Sequence, residues 1–184
     1  MKSFLLSVSF AIVVSAADLP YWVEPCTHPE TGCLPGDVDL ARWALHAWEQ
    51  ASDGRLHLVE SDREHARLRM VWALPTEGLY GETVPIVVDG QRGSQMNIRI
   101  EDGGTHDLLL RSTIVYLTCL HESGHALGLG HTKNFADIMY SFQYGGDIPE
   151  YFYRYRRKLT VRDDIRKSSG ISSDDRSHLI YALR

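Results

Sequence analysis

Apolar positions recur at two spacings along this chain. Leu40, Ala44, Ala47, Trp48 and Ala51 fall three or four apart behind Pro35-Gly36-Asp37, with Trp43 beside them, and Ser52-Asp53-Gly54 closes the run. That period predicts an amphipathic helix with a clean start and stop. Leu56–Glu60 and Ala66–Val71 alternate instead, as half-buried strands do, and a short first strand is expected at Tyr21–Glu24. The stretch from Pro75 to Gly93 is punctuated by glycine and proline around one β-prone run, Val84–Val88. Gln95–Glu101 alternates again and ends at Asp102-Gly103-Gly104. A long apolar segment, Leu108–Leu127, then reads as a second helix. Strand, helix, several strands, helix is an α+β order and predicts a twisted sheet backed by two helices.

The N-terminus breaks this pattern. Lys2, the apolar run Phe4–Val14 and the small residues Ser15-Ala16-Ala17 have the layout of a secretory signal. The run is too short to cross a bilayer. Residues 18–184 are therefore expected to form a single domain, secreted or periplasmic, with no membrane association once the signal is removed and no separate prodomain ahead of the first strand. The formal charge of −5 becomes −5 − 1 = −6 without Lys2, which argues against nucleic acid as a partner. The expected state is a monomer. Of the three cysteines, Cys26 and Cys33 are near enough in sequence to close a small disulfide loop in an exported chain. Cys119 is expected to be a packed free thiol.

The candidate chemistry lies in His121-Glu122-Ser123-Gly124-His125-Ala126-Leu127-Gly128-Leu129-Gly130-His131. On a helix His121 and His125 stand one turn apart on the same face, so two imidazoles can converge on one metal ion. A straight helix would carry residue 131 away. Gly128 can adopt positive φ, end the helix and turn the chain so that His131 supplies a third ligand from a loop. Three neutral imidazoles leave a fourth position open, the mark of a catalytic zinc site rather than a structural one. Glu122, displaced around the helix, can act on water instead of ligating. Five fixed positions, three of them histidine, arise by chance in about one chain of this length in 100,000.

The pattern His-Glu-x-x-His-x-x-Gly-x-x-His resembles the metzincin signature. Asp137-Ile138-Met139-Tyr140-Ser141 looks like that clan's Met-turn, whose methionine, here Met139, forms an apolar floor below the ligands. Within the clan the wording is most similar to the matrixins. Thr132 follows the last histidine, and Ile171-Ser172-Ser173-Asp174-Asp175 leads into Leu179, Ile180 and Leu183 as in a matrixin C-terminal helix, with Ser172 or Ser173 as its cap. The resemblance implies a zincin-like domain with a mostly parallel sheet, an antiparallel edge strand and one catalytic zinc. It implies a zinc-dependent endopeptidase acting on protein or peptide substrates through a zinc-bound water, with Glu122 as general base. Gln95–Glu101, carrying Ile98 and Ile100, looks like the substrate-pairing edge strand, and Phe142 to Tyr144 would line the pocket beyond the cut.

The chain also departs from the family. Ser141 stands where astacins and serralysins place a tyrosine. No cluster matches the structural zinc and calcium sites of vertebrate matrixins, so calcium has no support, and His57, His65 and His106 are expected in solvent. The family's cysteine switch has no prodomain to carry it, although Cys26 beside Pro25 offers an alternative in which it ligates the zinc. Tyr151-Phe152-Tyr153-Arg154-Tyr155-Arg156-Arg157-Lys158 is expected to pack as a helix with a basic outer face; a rim for anionic substrates is the other option. Two further functions stay open: an adhesion module of peptidase descent that no longer cleaves, and a zinc hydrolase of non-peptide amides.

Overall fold

Asp37–Ala51 forms α1, and Leu40, Ala44, Leu45 and Trp48 on its inner side are buried. They pack against α2, Leu108–Ala126, where the Trp48 indole donates to the Leu120 carbonyl at 2.9 Å. The computed structural model describes residues 18–76, 80–102 and 104–184, so the expected signal segment lies outside the described residues. Among the described residues five strands make one sheet: β1 Asp18–Val23, β2 His57–Glu60, β3 Leu68–Ala73, β4 Gly81–Val88 and β5 Gln91–Arg99. Their order is β2-β1-β3-β5-β4, parallel throughout except for the final β4–β5 pair. The alternation seen in the sequence sets the faces. Leu58, Tyr21, Leu68, Met70, Met96 and Ile98 point into the core under the helices.

The strand containing Gln95 to Arg99 does not lie at the edge. β5 is hydrogen-bonded to β3 on one side and β4 on the other, and Ile98 and Ile100 are 1% and 7% exposed. The antiparallel edge is β4, and Pro85 marks it, because proline has no N–H to donate and is tolerated where that position faces away from a partner strand.

Beyond α2, the short 3-10 turn Phe142–Tyr144 leads to α3, Ile148–Arg156. Tyr151, Phe152 and Tyr155 are buried and Tyr153 is exposed, as expected of a packed helix. α4, Ser173–Ala182, closes the chain with Ser172 as its cap. Cys26 and Cys33 are joined in a disulfide, Cα–Cα 5.4 Å, which removes Cys26 as a metal ligand. Cys119 is free and fully buried. No helix among the described residues is long and apolar enough to cross a membrane.

Candidate metal centre

The helix that carries the motif ends where the glycine predicts. Leu127 is the last turn's cap, and Gly128 takes φ +94°. Gly128 N donates to the His125 carbonyl at 2.9 Å and Leu129 N to the Gly124 carbonyl at 3.0 Å. These are the paired bonds of a Schellman motif, which satisfies the last carbonyls while reversing the chain. The reversal brings His131 back to the helix.

The result is three Nε2 atoms in one small triangle, with His121–His125 at 3.1 Å, His125–His131 at 3.1 Å and His121–His131 at 3.3 Å. Tetrahedral ligands about 2.0–2.1 Å from a zinc ion stand about 3.3–3.4 Å apart, close to these separations. The opposite nitrogens explain the aim. His121 Nδ1 lies 2.7 Å from the Ile138 carbonyl and His125 Nδ1 2.8 Å from the Leu129 carbonyl. A carbonyl only accepts, so each of these Nδ1 atoms carries the proton and each Nε2 presents a lone pair. Lone pairs crowded at such distances repel unless a cation lies between them. Burial pushes the His121 pKa down to about 4 and lowers that of His131 as well, keeping both rings neutral as ligation requires. The three histidines can bind a metal ion, and among the described residues they are the one such group of side chains. Compared with protein-family profiles and with curated proteins, the chain matches none.

The turn at Met139 holds this triangle from below. Met139 is fully buried and packs on α2 at Gly124, where a Cβ would fall 2.4 Å from its Sδ. The Asp175 carboxylate accepts from Ile138 N at 2.8 Å and Met139 N at 3.2 Å while also capping α4 through Ser172 N at 3.0 Å. Ser172 Oγ donates to Asp137 at 2.8 Å, and the Tyr151 hydroxyl donates toward the carbonyls of Asp137 and Ile138, each at 3.1 Å. Thr132, next to His131, pairs with Tyr140 across a single parallel bridge. So the Ile138 carbonyl that aims His121 is fixed by α3, α4 and the loop of the third histidine together.

Glu122 lies outside the triangle but in the same cavity, which measures about 660 Å³. It is 5% exposed, and burial raises its pKa while a hydrogen bond from Thr83 opposes the rise. The cavity is walled by Leu117, Thr118, Tyr140, Phe142, Tyr151 and Phe152, with Tyr80 to Thr83 of the β4 side opposite. Phe142 is on this wall. Tyr144 is not: it is 46% exposed and lies under the Lys133 ammonium at 5.2 Å, because the 3-10 turn rotates it outward. Ile98 and Ile100 are core residues and do not line the cavity. Sequence reasoning missed Thr83, Leu117, Tyr151 and Asp175. Leu117 had a signal, since it stands one helical turn before His121 on the ligand face. His57, His65 and His106 are exposed; the first two face Asp18 and Asp62 at 2.7 and 2.8 Å.

Proposed function

We propose that this protein is a secreted zinc-dependent endopeptidase of the metzincin type, with matrixin-like motifs. One observation carries the reading: three Nε2 atoms gathered within 3.1–3.3 Å beside a buried carboxylate that is not among them. A purely structural site needs a fourth protein ligand and has no use for the carboxylate. His121, His125 and His131 would hold the ion. Zinc in such a site acts as a Lewis acid and brings the pKa of water toward about 7.

The chain's own groups supply the rest. Glu122 takes the proton from the attacking water at its carboxylate oxygen and returns it to the leaving amine as the peptide bond breaks. Its buried position raises its basicity for the first step. Among the described residues β4 is the outermost strand of the sheet and borders the cavity, so an extended substrate can add to it as a further strand. Phe142, Tyr151 and Phe152 make the adjoining wall apolar and select a hydrophobic side chain beside the scissile bond. The expected signal segment and the Cys26–Cys33 disulfide support action outside the cytosol.

The test is incubation of the zinc-loaded mature protein with a diverse peptide pool and mapping of cut sites. Cuts at internal bonds followed by apolar residues are expected, with Glu122→Ala losing several orders of magnitude while keeping its zinc. No cleavage of any peptide would favour a binding module, and turnover of non-peptide amides alone would favour the other hydrolase.

A further inference from the structure

Glu122 rides on α2, but a helix fixes only the backbone and leaves three side-chain torsions free inside a cavity of about 660 Å³. Two residues of β4 remove that freedom. Thr83 Oγ1 donates to Glu122 Oε2 at 2.6 Å, and the same hydroxyl is 3.0 Å from the Glu122 main-chain carbonyl. Gly81 lies two residues earlier and so on the same face of the strand. A Cβ at Gly81 would fall 2.6 Å from both Glu122 Cγ and Oε1. The carboxylate occupies the room that the missing side chain leaves.

We propose that β4 positions the Glu122 carboxylate from across the cleft, Gly81 providing the space and Thr83 the hydrogen bond, an inference that rests on Glu122 acting as the base. The register of the sheet makes the arrangement specific. Gly81 pairs with Ile98 and Thr83 with Met96, both core-facing. A slip of one residue would turn Glu82 or Val84 toward Glu122 and send the hydroxyl to the outer face. Glu82 itself faces Arg99 at 3.5 Å on that outer side. Thr83 is thus a positioning residue: it touches the base and ties down one carboxylate oxygen, while the other sits in the hollow at Gly81. The strand proposed to pair with substrate also sets the base, which couples the two parts of the site through one element.

Thr83→Val keeps the shape and removes the donor, and Thr83→Ser restores the donor. In the zinc-loaded enzyme Thr83→Val is expected to lower kcat about tenfold or more, in keeping with loss of a charge-assisted hydrogen bond, with KM within about twofold. Thr83→Ser should recover most of kcat. A second readout needs no turnover. Thr83→Val should lower the thermal unfolding midpoint clearly more in the otherwise unaltered chain than in a Glu122→Ala background, where only the main-chain carbonyl of residue 122 is left to accept from the hydroxyl. Unchanged kcat in Thr83→Val, or the same fall in midpoint in both backgrounds, overturns the proposal. A zinc-loaded protein that cuts no peptide defeats the endopeptidase reading instead, and the unfolding comparison still decides whether β4 holds the carboxylate.

Discussion

At Gly124 the motif helix meets its neighbours on two sides: a Cβ there would lie 2.4 Å from Met139 Sδ and 3.1 Å from Trp48 Cζ2. Both partners are fully buried, so neither has empty space to move into. Gly124→Ala is therefore expected to destabilise the protein by about 1–3 kcal/mol through overpacking, even though alanine is the better helix former. Urea unfolding checks this, and equal or greater stability in the variant would contradict the packing described. Because Met139 adjoins the Ile138 carbonyl that aims His121, the same change should also weaken metal binding. The motif residues themselves were legible in the sequence, since their spacing within ten residues fixes their geometry. Gly124 was not, because its constraint comes from a side chain fifteen positions on.

α2 is fastened at its start as well as at its glycine-ended stop. The Asp107 carboxylate accepts from Leu109 N and Leu110 N, each at 3.0 Å, and pairs with Arg156 at 3.0 Å. The Leu110 amide above all, with Arg156 adding to it, holds the Asp107 carboxyl below its ordinary pKa. A depressed folded-state pKa means that the contribution is present above the unfolded value of about 3.9 and is lost as pH falls through the folded one. Asp107→Ala should cost about 1 kcal/mol near neutral pH, and the gap between variant and wild type should narrow as acid takes the pH below the unfolded-state value. A gap that persists undiminished there would count against this cap. One turn on, Arg111 reaches Asp37 with two bonds of 2.9 Å and the Gly32 carbonyl at 2.8 Å, tying α2 to the start of α1 and to the disulfide loop. Both side chains are buried, so Arg111→Met strands the Asp37 charge and is expected to cost about 3–5 kcal/mol by denaturant titration. A loss under about 1 kcal/mol would show that the pair carries little. Helix limits and the alternation of β5 were readable because they are local. The edge position of β4 was not: whether a strand lies inside or at the border depends on pairings across the sheet, and Pro85 was the only local hint.

Across the whole molecule, the contacts that complete the site join distant segments. Thr83 lies 39 positions from Glu122, Asp175 lies 36 from Met139, and Arg111 lies 74 from Asp37. No periodicity within a window reports such pairs, which is why the three histidines could be read and their supports could not. The thiols give an independent check on the fold. The native protein is expected to show no reactive thiol, with one appearing on unfolding as Cys119 is exposed, while the disulfide stays closed without reductant. Two or three reactive thiols in unfolded, unreduced protein would rule out the pairing. The proposed activity requires His121, His125 and His131 to share one ion that Glu122 does not touch. Calorimetric titration of zinc into metal-free wild type, Glu122→Ala and His125→Ala tests that most directly. One zinc per chain with nearly equal affinity is predicted for the first two, and at least a hundredfold weaker binding for the third. Undiminished binding in His125→Ala, or binding lost in Glu122→Ala, would contradict it.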